Sequence, residues 1–92
     1  MIVKVHVTAG DIAEGKPEEA CACPVWLAIC RAMPGVLIAV GPDDISVGED
    51  RESVRLPWPA REFISLFDEL LPVLPFEFDL DVPDALLAGD HR

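Results

Sequence analysis

Residues 76 to 82, FEFDLDV, alternate without a fault, with Phe76, Phe78, Leu80 and Val82 against Glu77, Asp79 and Asp81. A strand turns successive side chains to opposite faces, so this segment has one dry face and one row of carboxylates. A chain built around such a strand must cover one face with apolar groups and leave the other to solvent. Helices packed on one side of a sheet are the natural solution.

Residues 2 to 8, IVKVHVT, repeat the pattern with Val3, Val5 and Val7 opposed to Lys4, His6 and Thr8. They form a second half-buried strand, whose polar side carries bases. If the first and last strands are neighbours, Lys4 and His6 pair with the carboxylate row. Residues 9 to 23 hold Gly, Pro and acids with no sustained period and read as a connection with a short helical turn at Asp11 to Glu14.

Two helices are bracketed by prolines. Pro24 opens PVWLAICRAM and Pro34-Gly35 closes it, since proline suits the first helical turn and cannot continue a helix. Arg31 is its only charged residue, so the helix has more apolar surface than one core-facing stripe uses. Pro57-Trp58-Pro59 starts the second helix, AREFISLFDELL, in which Phe63, Leu66, Phe67 and Leu70 share one stripe; Pro72 stops it. Between the helices, three short strands at 36 to 40, 45 to 47 and 53 to 56 are joined by Gly-containing turns as an antiparallel meander. A last helical turn is expected at Pro83 to Leu87.

The resulting order, β-α-β-β-β-α-β, predicts an α+β two-layer sandwich, a mostly antiparallel sheet with both helices on one face. Ninety-two residues make room for one domain, over 1–88, with a flexible tail at 89–92. The apolar share of 51% is that of a packed globule.

Charge excludes one class of function. With 17 acids against 7 bases and a formal net charge of −10, the surface repels a phosphate backbone, so nucleic acid is not an expected partner. No apolar run approaches the roughly 20 residues that span a bilayer, and the start MIVKVHVTAGD is unlike a signal peptide. No membrane association is expected. Cys21, Cys23 and Cys30 are odd in number and crowded into one segment, which suits a reducing compartment, the cytoplasm.

The reactive residues form no recognisable catalytic set. Cys21, Cys23, Cys30 and His6 are the ligand types zinc prefers, but structural zinc sites usually place two to four residues between paired ligands, whereas here one pair is separated by a single residue and the third cysteine is seven residues on, inside an apolar helix. Buried cysteines acting as small hydrophobes explain the same residues. His6 and His91 are the only histidines, and neither is paired with a nucleophile by spacing. The row Glu77, Asp79 and Asp81 offers oxygens to a divalent metal, yet along a straight strand these diverge about 7 Å apart. A solvated sheet face accounts for them as well. No metal and no cofactor are expected.

Two tryptophans stand out as anchors, the residue most enriched at binding hot spots. Trp26 lies in the over-hydrophobic helix with Ile29 and Met33, and Trp58 lies between two prolines. Core packing and partner contact are both open to Trp26.

Three stretches, CPVWLAICRAMPG, LPWPAREFISLFD and PFEFDLDVP, together resemble a family of small uncharacterised proteins of actinobacterial phages and related mobile elements. The shared motifs fall on Cys23 to Ala28, Ala60 to Ile64 and Pro75 to Leu80. They are apolar framework and bring no catalytic residue with them. The resemblance implies expression in the cytoplasm of an infected or lysogenic bacterial host and a role in modulating a host or phage protein.

The expected function is therefore that of a non-enzymatic accessory protein which binds another protein. Trp26, Ile29, Met33, Trp58, Glu77, Asp79 and Asp81 are its candidate contacts. One alternative is an acidic mimic that competes with nucleic acid for a DNA-binding protein, led by Glu77, Asp79, Asp81 and Asp84. Another is a small metal-dependent enzyme. The apolar surplus of the first helix also predicts a homodimer in which that helix meets its own copy, unless residues 9 to 22 fold back over it.

Overall fold

The computed structural model describes residues 1–83. The helical turn expected beyond Pro83, the tail, Asp84 and His91 lie outside the described residues.

The alternating first and last segments form strands β1 (Ile2–Val7) and β5 (Phe76–Asp81). They pair antiparallel with Val3 opposite Leu80, Val5 opposite Phe78 and Val7 opposite Phe76. This register places Val5, Val7, Phe78 and Leu80 in the core, and a slip of one residue would turn the carboxylates inward instead.

After β1 the chain turns into α1 (Ala9–Glu14), a helix of six residues. So short a helix is marginal by itself, and its start is fixed by a reciprocal cap. Thr8 Oγ1 accepts from Asp11 N at 3.1 Å, and Asp11 Oδ2 accepts from Thr8 N at 2.9 Å. Gly15 ends it. A Cβ at Gly15 would lie 2.5 Å from Pro24 Cδ, so the close approach of α1 to the next helix requires a residue without a side chain.

Helix α2 (Pro24–Ala32) begins where the proline bracket predicts, with Cys23 Sγ accepting from Trp26 N at 3.4 Å. The meander follows as β2 (Ile38–Val40), β3 (Asp44–Val47) and β4 (Glu52–Arg55). Gly35 and Gly48 carry positive φ, at 84° and 80°, in the turns before β2 and after β3, a region glycine enters without steric cost. Helix α3 (Trp58–Asp68) completes the order. Phe63 of α3 stacks on Phe76 of β5 with ring centroids 4.8 Å apart, which ties the second helix to the last strand.

The α+β class stands, but the predicted order β-α-β-β-β-α-β gains a helix, α1, between β1 and α2, and the strands divide into two antiparallel sheets, β1-β5 and β2-β3-β4, instead of one. The outer edge of β2 is already occupied. Val40 N donates to Ala20 O at 2.9 Å, and Ile38 O accepts from Trp26 Nε1 at 2.8 Å. The connection before α2 thus sits where a further strand would pair, and the meander stays separate.

Helix α2 lies against β1, α1 and β2. Its apolar surplus is thereby used within the chain: Val25, Ala28 and Ile29 are fully buried, and Trp26 and Cys30 are half-buried. Residues 9 to 14 form α1 and pack against the helix, while Trp26, Leu27 and Cys30 stay half-buried.

Candidate functional site

The seven candidate contacts separate into core and surface. Ile29 at 0% exposure and Met33 at 4% belong to the core, a correction to their reading as partner contacts, because both are packed into the buried apolar cluster. Trp26 is half-buried and its indole N–H is committed to Ile38 O, so it anchors α2 to β2. Trp58 is 60% exposed at the start of α3, and Glu77, Asp79 and Asp81 are exposed along β5.

The carboxylate row is a ladder of ion pairs with β1. Lys4 Nζ lies 3.2 Å from Asp79, His6 Nδ1 3.2 Å from Glu77, and the terminal ammonium of Met1 3.7 Å from Asp81. Hydrogen bonding to Asp79 holds the Lys4 ammonium above its ordinary pKa. Cross-strand pairs of opposite charge help to fix register.

Two sets of residues that the sequence reading did not single out carry the more unusual geometry. The first is Asp11, buried, and Arg31, which grips it in a fork. The second is the segment after α3. Leu70 has φ 64°, Leu70 N donates to Phe67 O, and Leu71 N donates to Leu66 O, both at 3.0 Å. This is a left-handed helix cap, a position that glycine normally fills. A leucine there costs about 1–2 kcal/mol, and its side chain offsets little of that by burial, being 78% exposed. Leu74 is 80% exposed and Leu71 45%. Pro72 and Pro75 restrict the chain between them, so three leucines stand in solvent on a stiffened loop. Leucines among prolines, beyond the last residue of the helical period, are the signal that the sequence held.

A cleft of about 370 Å³ is lined by Glu18, Glu19, Cys23, Val40, Ile64 and Asp68 among others. Its wall is closed by Glu18 N donating to Asp68 Oδ1 at 2.8 Å. Burial pushes the Cys23 thiol up, and the charge of Asp68 adds to it. That thiol is kept protonated and is a poor nucleophile. Among the described residues, no group of three His, Cys, Asp or Glu side chains is placed to hold a metal ion, and no helix is long and apolar enough to cross a membrane.

No family model, curated protein or solved structure matches this chain.

Proposed function

We propose that this is a phage-type accessory protein that acts by binding a host or phage protein in the bacterial cytoplasm, and that the loop of Leu70, Leu71 and Leu74 is its contact. The observation that carries the reading is Leu70, an exposed leucine held in a left-handed conformation that stability alone would give to glycine. Local strain that persists without a packing return is a mark of function. The cellular setting is what the resemblance of the Cys23 to Ala28, Ala60 to Ile64 and Pro75 to Leu80 stretches to small actinobacteriophage proteins implies.

The ion-pair ladder favours this reading over an acidic mimic of nucleic acid. Glu77, Asp79 and Asp81 would lead a mimic surface, yet Glu77 and Asp79 face His6 and Lys4 on β1, and Asp81 faces the amine of Met1 just before it. A row so compensated presents a weaker field than duplex phosphates do.

The test is affinity capture from an actinobacterial lysate with the wild-type chain and a Leu71→Asp/Leu74→Asp variant. A protein retained by the first and lost by the second is the expected result. Recovery of the same set by both would overturn the assignment of the loop, and recovery of no specific protein would overturn the binding function.

A further inference from the structure

Among the described residues, no strand pairs with the edge of β5 away from β1. Met1 N donates to Val82 O at 3.0 Å and Val82 N donates to Met1 O at 2.8 Å, which fixes the phase of the ladder. In an antiparallel pair every second residue exchanges both bonds with its partner. Phe76, Phe78 and Leu80 therefore direct their N–H and C=O groups toward β1, and Glu77, Asp79 and Asp81 direct theirs away. Among the described residues no backbone or side-chain group bonds to these outward groups. The outer edge of β1 differs, because His6 O accepts from Arg31 Nη2 at 2.9 Å.

We propose that this edge takes an extended segment of the partner protein as a third strand, and that the segment alternates apolar with basic residues. The template is β1 itself. Its sequence IVKVHV lays valines beside Phe78 and Leu80 on the dry face and sets Lys4 and His6 opposite Asp79 and Glu77 on the wet face. A strand on the other side of β5 meets the same two rows, so the same alternation satisfies both faces, while the main-chain bonds supply sequence-independent affinity. The charge also excludes the simplest rival. A second copy pairing β5 to β5 would place carboxylates near carboxylates, and like charges across a ladder are repelled. Leu74 is separated from the first residue of β5 only by Pro75, so the leucine loop leads directly into this edge. The inference rests on the protein-binding reading and names the chemistry of the partner.

The test uses the full chain and a synthetic peptide copying its own residues 2–8, Ile-Val-Lys-Val-His-Val-Thr, at millimolar concentration and low salt, read by amide hydrogen exchange. The expected result is a severalfold slowing at Glu77, Asp79 and Asp81 that salt reverses and that a peptide with Glu in place of Lys and His does not produce. Asp79→Pro removes an outward N–H that bonds to nothing among the described residues, and it should abolish the slowing; Asp79→Lys, which keeps the backbone N–H, should do the same by charge. Unchanged exchange at these three amides, or equal slowing by the acidic peptide, would overturn the strand-addition proposal. A partner captured from lysate through the leucine loop would survive that outcome, so the two readings fail separately.

Discussion

The guanidinium of Arg31 holds both carboxylate oxygens of Asp11, with Nη1 3.0 Å from Oδ1 and Nη2 2.7 Å from Oδ2. A second bond from Nη2 reaches His6 O at 2.9 Å. One side chain on α2 is thereby fastened to α1 and to β1, and the capping box of α1 shares the same carboxylate. Planar, two-point recognition of this kind is what arginine supplies and lysine does not.

The two partners should be unequal on mutation. The Asp11 side chain is 7% exposed and that of Arg31 53% exposed. Arg31→Ala strands a buried carboxylate and should cost about 2–3 kcal/mol. Asp11→Ala leaves a guanidinium that water can reach, so the loss should be nearer 1–2 kcal/mol, most of it the cap. Urea denaturation of the two variants checks the order, and equal losses would contradict it.

Acid should expose the same pair. Hydrogen bonds from Arg31 hold the Asp11 carboxyl below the ordinary carboxylate range, against the opposing effect of burial, with further help from Thr8. The folded state thus binds fewer protons than the unfolded chain, so the stabilisation is complete above the unfolded pKa of about 3.9 and is lost as pH falls through the depressed folded value. In Arg31→Ala the leading cause of the depression is gone and burial remains. That variant should lose less stability than the wild type as pH falls through the carboxylate range, as measured by thermal unfolding across an acid series.

Much of the strand chemistry was legible in the sequence, because alternation settles which side chains share a face. The pairing of Lys4 and His6 with the carboxylate row follows from two period-two segments and neutral geometry. Asp11 and Arg31 were not legible as a pair, since they lie 20 residues apart and only the packing of α1 on α2 brings them together. The same packing misled the reading of Ile29 and Met33. A nine-residue helix with one charge looks over-supplied with apolar surface until the short helix expected at Asp11 to Glu14 is seen to pack against it. Leu70 was assigned to the helical stripe of α3, and a spacing rule carries no information on where φ changes sign.

Gly15 should be intolerant of even a methyl group. Its φ of −72° is ordinary, so the constraint is contact with the Pro24 ring alone. Gly15→Ala should cost about 1–3 kcal/mol by overpacking and should raise amide exchange in α1 before the rest of the chain. Wild-type stability with unchanged exchange would show that α1 does not depend on this approach.

The three thiols should react in sequence. Cys21 is exposed, Cys23 is buried and Cys30 half-buried. Burial raises the last two above the ordinary thiol value, with the neighbouring cysteines adding to the effect on Cys30. Iodoacetamide at neutral pH should label Cys21 first and the others only when the chain is unfolded, because the thiolate is the reacting form. Native labelling of Cys23 at the rate of Cys21 would contradict the burial described.

The central claim is that Leu70 is kept in an unfavourable backbone conformation for binding and not for folding. Leu70→Gly relieves the left-handed strain and sacrifices little buried surface, with the flexibility of glycine in the unfolded chain taking back part of the gain. The denaturation midpoint and partner capture from lysate should therefore be measured on the same variant. The account predicts a chain more stable by about 0.5–1 kcal/mol that retains less partner. A variant that is destabilised, or one that is stabilised and binds as the wild type does, would contradict it.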